Sequence, residues 1–463
     1  MKFYFRNKII ILLFLVYMYR SDLRFVFEMN RHGVTSPKLF PDLNFDVLGQ
    51  EWNFENHITS TGINNQFQAG GKFRKKYVEK HKLLSNSIKP NEIIALSIDN
   101  ESAITSTYSK LIGLYPSNNM KKLNDIQAIT PTSSIQINQV QNILHRLDSA
   151  SLPENNQIFP IKALSDKDYF HIYNINSCMP AAGLVGGSQA KQKVNQFLQN
   201  FNHTYYESLN KVMKFDDINY LTNYENVKYI LESFVAGQNN NLNFDYLQKE
   251  INLENFYQVA IDFMKMDLYD INLGDDDKLK ARISISKTVE SLNYILDEII
   301  SRDKAKGSKT AKTEVDHHKK MNDLKYLLYS CLDVDVASML IFLKLSLNTV
   351  IYYPEFSSSF FLEFYKNSNK LLNLTNKDYS VKLYFNDRIL YEASYHEFKT
   401  KTNSMILNQK RIDEFCEYKD NTETTYFLLV SVLGIICMGL IIWNIILFTK
   451  RDNYSSNKIK NQL

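Results

Sequence analysis

Apolar residues in this chain come in short dense blocks, and stretches of helical periodicity separate the blocks. Leu23, Phe25, Val26, Phe27 and Met29 form one block and residues 93–98 another. A short apolar run bounded by polar residues predicts a strand buried on both faces. Between the two, Thr61 can cap a helix that runs to about His81. Next, Ile104, Tyr108, Leu111, Ile112 and Tyr115 recur at helical spacing and stop at Pro116. Strand, helix, strand, helix predicts an α/β fold, a doubly wound central sheet flanked by helices.

The middle of the chain is more helical. Val227, Ile230, Leu231 and Phe234 mark one apolar face and Val289, Leu292, Leu296 and Ile299 another, which predicts a helical cap subdomain over roughly 180–320. The lysine-rich stretch 302–322 predicts a solvated loop. Its His317 and His318 point in different directions on either a helix or a strand, so they make no metal site by themselves. The sheet resumes at 326–330, a helix follows over 336–345, and 360–365 and 379–385 predict two more strands.

Both ends carry membrane patterns. Lys2, Arg6 and Lys8 precede the apolar run 9–19, the layout of a secretory signal peptide over 1–20, with a mature start near Ser21. No small-residue cleavage site follows, which leaves an uncleaved anchor open. Residues 426–448 are 23 positions without a charge, about 34 Å as a helix at about 1.5 Å per residue, enough to span a bilayer. Lys450, Arg451, Lys458 and Lys460 follow the span, so the tail 449–463 is expected in the cytoplasm and 21–419 in the lumen or outside the cell. This predicts a single-pass type I membrane protein of the lysosome, endosome or plasma membrane.

Composition adds little beyond excluding classes. The chain of 463 residues is 44% hydrophobic and 22% charged, an ordinary globular balance. A formal net charge of +4 without a dense basic stripe argues against nucleic-acid binding. Of four cysteines, Cys437 lies in the apolar span and Cys331 in a strand-like run, where a free buried thiol is the default. Cys178 and Cys416 remain as a candidate disulfide or as two unpaired thiols. Asn100, Asn202 and Asn373 head glycosylation triplets.

The chemistry concentrates at Arg31-His32-Gly33, directly after the first apolar block. A histidine at the carboxyl end of a buried strand, beside an arginine, is where an open α/β sheet presents a nucleophile to an anionic substrate. Asp333, at the end of a later strand, can protonate a leaving group or simply cap the helix that follows.

The chain resembles the histidine acid phosphatase family, the membrane-anchored lysosomal type in particular, in order from about Asp22 to Cys416. Arg31-His32-Gly33-Val34-Thr35-Ser36-Pro37 stands where the family writes R-H-G-x-R-x-P. Ile58-Thr59-Ser60-Thr61-Gly62, with Gln66, Gly70, Arg74 and Tyr77, resembles its L-T-x-x-G helix. Ser97-Ile98-Asp99 and Gly113-Leu114-Tyr115-Pro116 resemble the S-T-D and G-L-F-P pieces, and Cys178-Met179-Pro180 a C-P turn. Tyr329-Ser330-Cys331-Leu332-Asp333 resembles the Y-S-A-H-D strand end, and the run from Phe360 to Tyr365 a late strand.

The resemblance implies His32 as the nucleophile that becomes phosphohistidine, Asp333 as the proton donor and Arg31 as a phosphate ligand, with no cofactor and with homodimers by family analogy. The departures fall on the remaining functional positions. The second arginine of the first motif is Thr35, the arginine before S-T-D is Leu96, a further arginine is Ser102, and the histidine of the H-D pair is Leu332. Phosphoryl transfer depends on positioning and on charge around the equatorial oxygens. Each lost preorganised donor is worth about 10²- to 10³-fold. The expectation is a phosphatase-like, membrane-anchored pseudoenzyme serving adhesion, scaffolding or recognition of some other ligand in the old pocket; the alternative is an active acid phosphomonoesterase working through His32 and Asp333.

Overall fold

Two strands fix the architecture, because their carboxyl ends lie side by side. β1 (Asp22–Arg31) and β4 (Tyr326–Cys331) run parallel, with Val26 opposite Tyr326 and Arg31 opposite Cys331. Residues 25–31 of β1 and all of β4 are buried because both faces of the sheet are covered. The computed structural model describes residues 22–36, 57–116, 159–164, 188–215, 217–241, 244–273, 278–307, 323–367 and 374–416, with 430–434, 438 and 443. The signal-peptide region, Cys178, Asn373, His317 and His318 lie outside them, as does the tail after Trp443.

The sheet has helices on both faces, as a doubly wound sheet does, but it is mixed rather than parallel throughout. Its order is β3-β2-β4-β1-β5-β6-β7, with β2 (Ile93–Ile98) parallel to both β4 and β3 (Ile161–Leu164). The half beyond β1 is antiparallel: β5 (Ser359–Lys366), β6 (Tyr379–Phe385) and β7 (Arg388–Ser394) follow one another as neighbours. Short connections make this half, since a two-residue turn at Asn386 and Asp387 joins β6 to β7.

One face of the sheet carries α1 (Ser60–Phe73), prolonged by a π-helical turn over Arg74–Lys80, and α2 (Glu101–Leu114). The cap of α1 is Thr59 rather than Thr61, its side-chain oxygen accepting from the Gly62 N–H at 3.1 Å. The two helices touch backbone to backbone: a Cβ on Gly70 would lie 2.0 Å from the Lys110 carbonyl oxygen, and one on Gly113 1.9 Å from that of Phe67. Beneath them Lys110 is fully buried and its Nζ lies 2.6 Å from Glu28 Oε1. Tyr326 donates to the same carboxylate, and Ser359 Oγ donates to it at 2.8 Å. Burial pulls the Lys110 ammonium below its usual pKa, against the raising effect of Glu28.

The other face carries α6 (Leu279–Gly307) and α7 (Asp333–Leu347). Val289, Leu292, Leu296 and Ile299, expected in the helical cap, instead join Phe25, Phe27, Met29 and Leu96 in the sheet's own core. The helix also runs through Arg302 and Asp303 to Gly307, so the start of the expected loop is helical. Asp303 is held there by ion pairing with Arg24 and a bond from the Tyr379 hydroxyl at 2.9 Å. A separate apolar cluster belongs to α3 (Ser188–Met213), α4 (Tyr224–Asn239) and α5 (Leu253–Met266), and includes Val227, Ile230, Leu231 and Phe234. The last helix of this unit is α8 (Tyr395–Asn403), which follows β7.

A second compact unit contains α9 (Gln409–Cys416) and the helical residues 430–434, 438 and 443. Among the described residues no helix is long and apolar enough to cross a membrane. Most of the 426–448 span lies outside them, and its described residues Val430, Val432, Leu433, Met438 and Trp443 are exposed. Cys331 is a free buried thiol, whereas the side chain of Cys416 is not among those described.

Candidate active site

The parallel pairing of β1 and β4 delivers His32 and Asp333 to one place. The His32 N–H donates to the Cys331 carbonyl at 3.1 Å, extending the ladder one residue past β1, and Asp333 opens α7 two residues beyond that carbonyl. The loop holding His32 is then gripped from α1 and α2. A Cβ on Gly33 would lie 2.5 Å from the Gly62 carbonyl oxygen, and one on Gly62 would lie 2.3 Å from that of Val34, so only glycine fits at either contact. Gln66 Nε2 donates to the Arg31 carbonyl at 3.1 Å, the Gly33 N–H to Ser106 Oγ at 2.8 Å, and Thr59 Oγ1 to the Val34 carbonyl at 3.0 Å.

His32 is 8% exposed and packs its ring against Phe356 at 5.8 Å between centroids. Its Nδ1 is 2.8 Å from the Gly33 carbonyl oxygen. A carbonyl only accepts, so Nδ1 carries the hydrogen and Nε2 the lone pair. Burial, then the charge of Arg31, push the imidazole pKa down to about 4, so the ring is neutral above that pH. This is the tautomer that a nucleophilic Nε2 would need.

Arg31 is engaged within the protein through its Nη atoms, while its buried Nε–H has no partner among the described residues. Its Nη2 is 3.2 Å from Asp333 Oδ2, its Nη1 donates to the Pro354 carbonyl at 2.8 Å and to the Tyr353 hydroxyl at 3.4 Å, and its guanidinium lies 4.0 Å over the Phe356 ring. Asp333 is also engaged on its other side, Oδ1 accepting from the Val334 N–H at 2.8 Å. Burial works to raise the Asp333 pKa, but the Arg31 guanidinium, helped by His32, holds it below the usual carboxylate range. A second cation whose field reaches Asp333, Lys228 on α4, is paired with Asp267 at 3.1 Å.

The four positions that depart from the family pattern sit differently. Leu96 is 3% exposed and part of the sheet core beside Met29 and Tyr329. Thr35 is buried and bridges to Ile58. Ser102 is buried at the start of α2 and its hydroxyl donates to Glu101 Oε2 at 3.3 Å. Leu332 is partly exposed at the N-terminus of α7, where its N–H donates to Asp335 Oδ2 at 2.9 Å. Burial, reinforced by Asp333 and opposed by that N–H, raises the Asp335 pKa to about 7. Of the glycosylation triplets, Asn100 is exposed with its side-chain oxygen accepting from the Ala103 N–H as the α2 cap, and Asn202 lies inside α3. Among the described residues no group of three metal-ligating side chains occurs.

Several residues of the site carry no mark in the sequence. Ser106, Asn240 and the Tyr353-Pro354-Phe356 stretch all touch the motif loop or Arg31, and Asn240 does so through its Nδ2, which donates to the Thr35 carbonyl at 3.5 Å. The only available signal was Pro354, a turn marker after an apolar pair.

Comparison with known proteins identifies the family and the fold. The model of the histidine phosphatase superfamily (branch 2) matches residues 4–386. Among solved structures, the phytase of Klebsiella sp ASR1 aligns with a TM-score of 0.51 at 12% identity, over 84% of this chain and 97% of the other. The phytase of D. castellii aligns at 0.51 and 12% over 86% and 82%. The Bifidobacterium longum multiple inositol polyphosphate phosphatase, in complex with inositol hexasulfate, aligns at 0.51 and 9% over 84% and 94%. At these identities the likeness is one of fold. No curated protein matches.

Proposed function

We propose, from the premise that the chain belongs to the histidine phosphatase superfamily (branch 2), that it is a catalytically impaired member with a set nucleophile and a dismantled phosphate clamp. The observation that carries this reading is the position of Arg31. Its guanidinium is committed to Asp333, the Pro354 carbonyl and the face of Phe356. A phosphate dianion entering the site would compete with that carboxylate for Nη2 and would find the buried Nε–H as a donor without a partner among the described residues. Thr35, Leu96, Ser102 and Leu332 offer no replacement charge, and a dianion so poorly compensated loses more in desolvation than it regains. The pocket then serves recognition rather than turnover.

A second reading, an acid phosphomonoesterase acting through His32 and Asp333, is favoured by the fixed Nδ1–H tautomer, which leaves Nε2 free to attack. Hydrolysis of an alkyl phosphomonoester at acidic pH by the full-length chain, beside a His32→Ala variant of equal foldedness, separates the two. Equal background rates support the impaired reading, and turnover that disappears with His32 overturns it.

The same proposal places the chain in a membrane of the secretory pathway as a type I protein. The exposed apolar helical residues Val430, Val432, Leu433, Met438 and Trp443 support it, because apolar side chains with no protein cover call for lipid. Alkaline extraction of membranes tests it: retention in the pellet is expected, and release would contradict the span.

A further inference from the structure

The half of the site that attacks and the half that protonates are in opposite states. His32 presents an Nε2 lone pair, with Nδ1–H fixed on the Gly33 carbonyl at 2.8 Å. Asp333 presents no proton: Oδ2 faces the Arg31 guanidinium at 3.2 Å, and Oδ1 accepts from the Val334 N–H at 2.8 Å. Both of its oxygens are used as acceptors, the arrangement of an ionised carboxylate. A leaving group that needs a proton, such as the alkoxide of an alkyl phosphate, finds no donor there.

We infer that the chemistry left to this site is phosphoryl capture from donors whose leaving group departs as a stable anion, acyl phosphates being the class that fits. The inference rests on the impaired-clamp reading, since an activated donor brings the driving force that the missing cations would otherwise supply. In the step, His32 Nε2 forms a bond to phosphorus and the bond from phosphorus to the acyl oxygen breaks. The electron pair leaves with the carboxylate, and the Nδ1 proton stays in its bond to the Gly33 carbonyl. Neutral imidazole and an acyl phosphate dianion thus give a phosphohistidine of one net negative charge and one carboxylate.

The test exposes the full-length chain to acetyl phosphate and, separately, to glycerol 2-phosphate, and follows phosphorylation by intact mass and by the acid lability of the label. A His32→Asn variant, matched for folding by thermal unfolding, is treated in the same way. The expected result is acid-labile label from acetyl phosphate that the variant lacks, formed at least about 10²-fold faster than from glycerol 2-phosphate, the usual share of a general acid. Equal labelling of wild type and variant, or no labelling of a folded wild type, overturns the inference and leaves the impaired reading standing. Comparable rates from the two donors overturn it too, and turnover of glycerol 2-phosphate would in addition overturn the impaired reading.

Discussion

The loop from Arg31 to Ser36 and the positions that should surround a phosphate have had different fates in one site. The loop is held as tightly as any active-site motif: Gly33 and Gly62 meet at distances no Cβ allows, and Gln66, Ser106 and Thr59 each anchor a backbone group of the loop. The charge-bearing positions have dissolved into their surroundings. Leu96 has become part of the sheet core, Ser102 bonds to its neighbour Glu101, and Arg31 has turned to Asp333. Backbone contacts of this kind serve the fold whether or not a ligand arrives, so the loop geometry does not depend on the charges around it.

The largest effects should come from putting a lone charge inside the core. Lys110→Ala strands Glu28, and Leu96→Arg adds a guanidinium where Phe25, Phe27 and Met29 pack. Each is expected to cost about 3–5 kcal/mol, measurable as a shift in the urea midpoint. A cost under about 1 kcal/mol at Leu96 would mean that the clamp position is still open to solvent.

Next comes a pH effect. Asp335 titrates at about 7 in the fold against 3.8 as its ordinary value, so its contribution is full below about pH 4 and is lost as pH rises toward 7. Asp335→Asn lacks that loss and should gain on the wild type between pH 4 and 7, by at most about 4 kcal/mol. His32, held down to about 4, contributes the opposite slope, but it does so in both proteins and cancels in the difference. Unfolding titrations at a series of pH values check this, and a flat difference would show that Asp335 is ionised in the fold.

Gly62→Ala tests the grip itself. A methyl 2.3 Å from the Val34 carbonyl oxygen must push the loop or the helix away, at about 1–3 kcal/mol. At the small end, Leu332→His sits at a partly exposed helix start and should change stability by less than about 0.5 kcal/mol. Thermal unfolding of the two together contrasts a position the fold owns with one it has left free.

Much of this was legible from the sequence. The run 93–98 matches β2 residue for residue, with most of its positions buried, and 379–385 matches β6, where every second residue is buried. β7 was missed because Arg388–Ser394 lies at the sheet edge and is exposed or half-buried along its length, and β3 because four residues carry too little pattern. The α2 stripe misled in detail: Ala103, Ser106, Lys110 and Gly113 face inward, since a helix that must approach another backbone closely buries its small residues. The placement of His32 and Asp333 at the ends of strands was legible, and the fold makes those strands neighbours. The commitment of Arg31 was not, because Tyr353, Pro354 and Phe356 lie more than three hundred positions away and carry no motif.

The central claim, that the phosphate clamp is gone while the nucleophile loop stands, is tested most directly by titrating the full-length chain with inorganic phosphate at acidic pH in a calorimeter. The account predicts a Kd no tighter than about 1 mM, or about −4 kcal/mol, with no change on His32→Ala. Binding tighter than about 10 µM that disappears in that variant would contradict it.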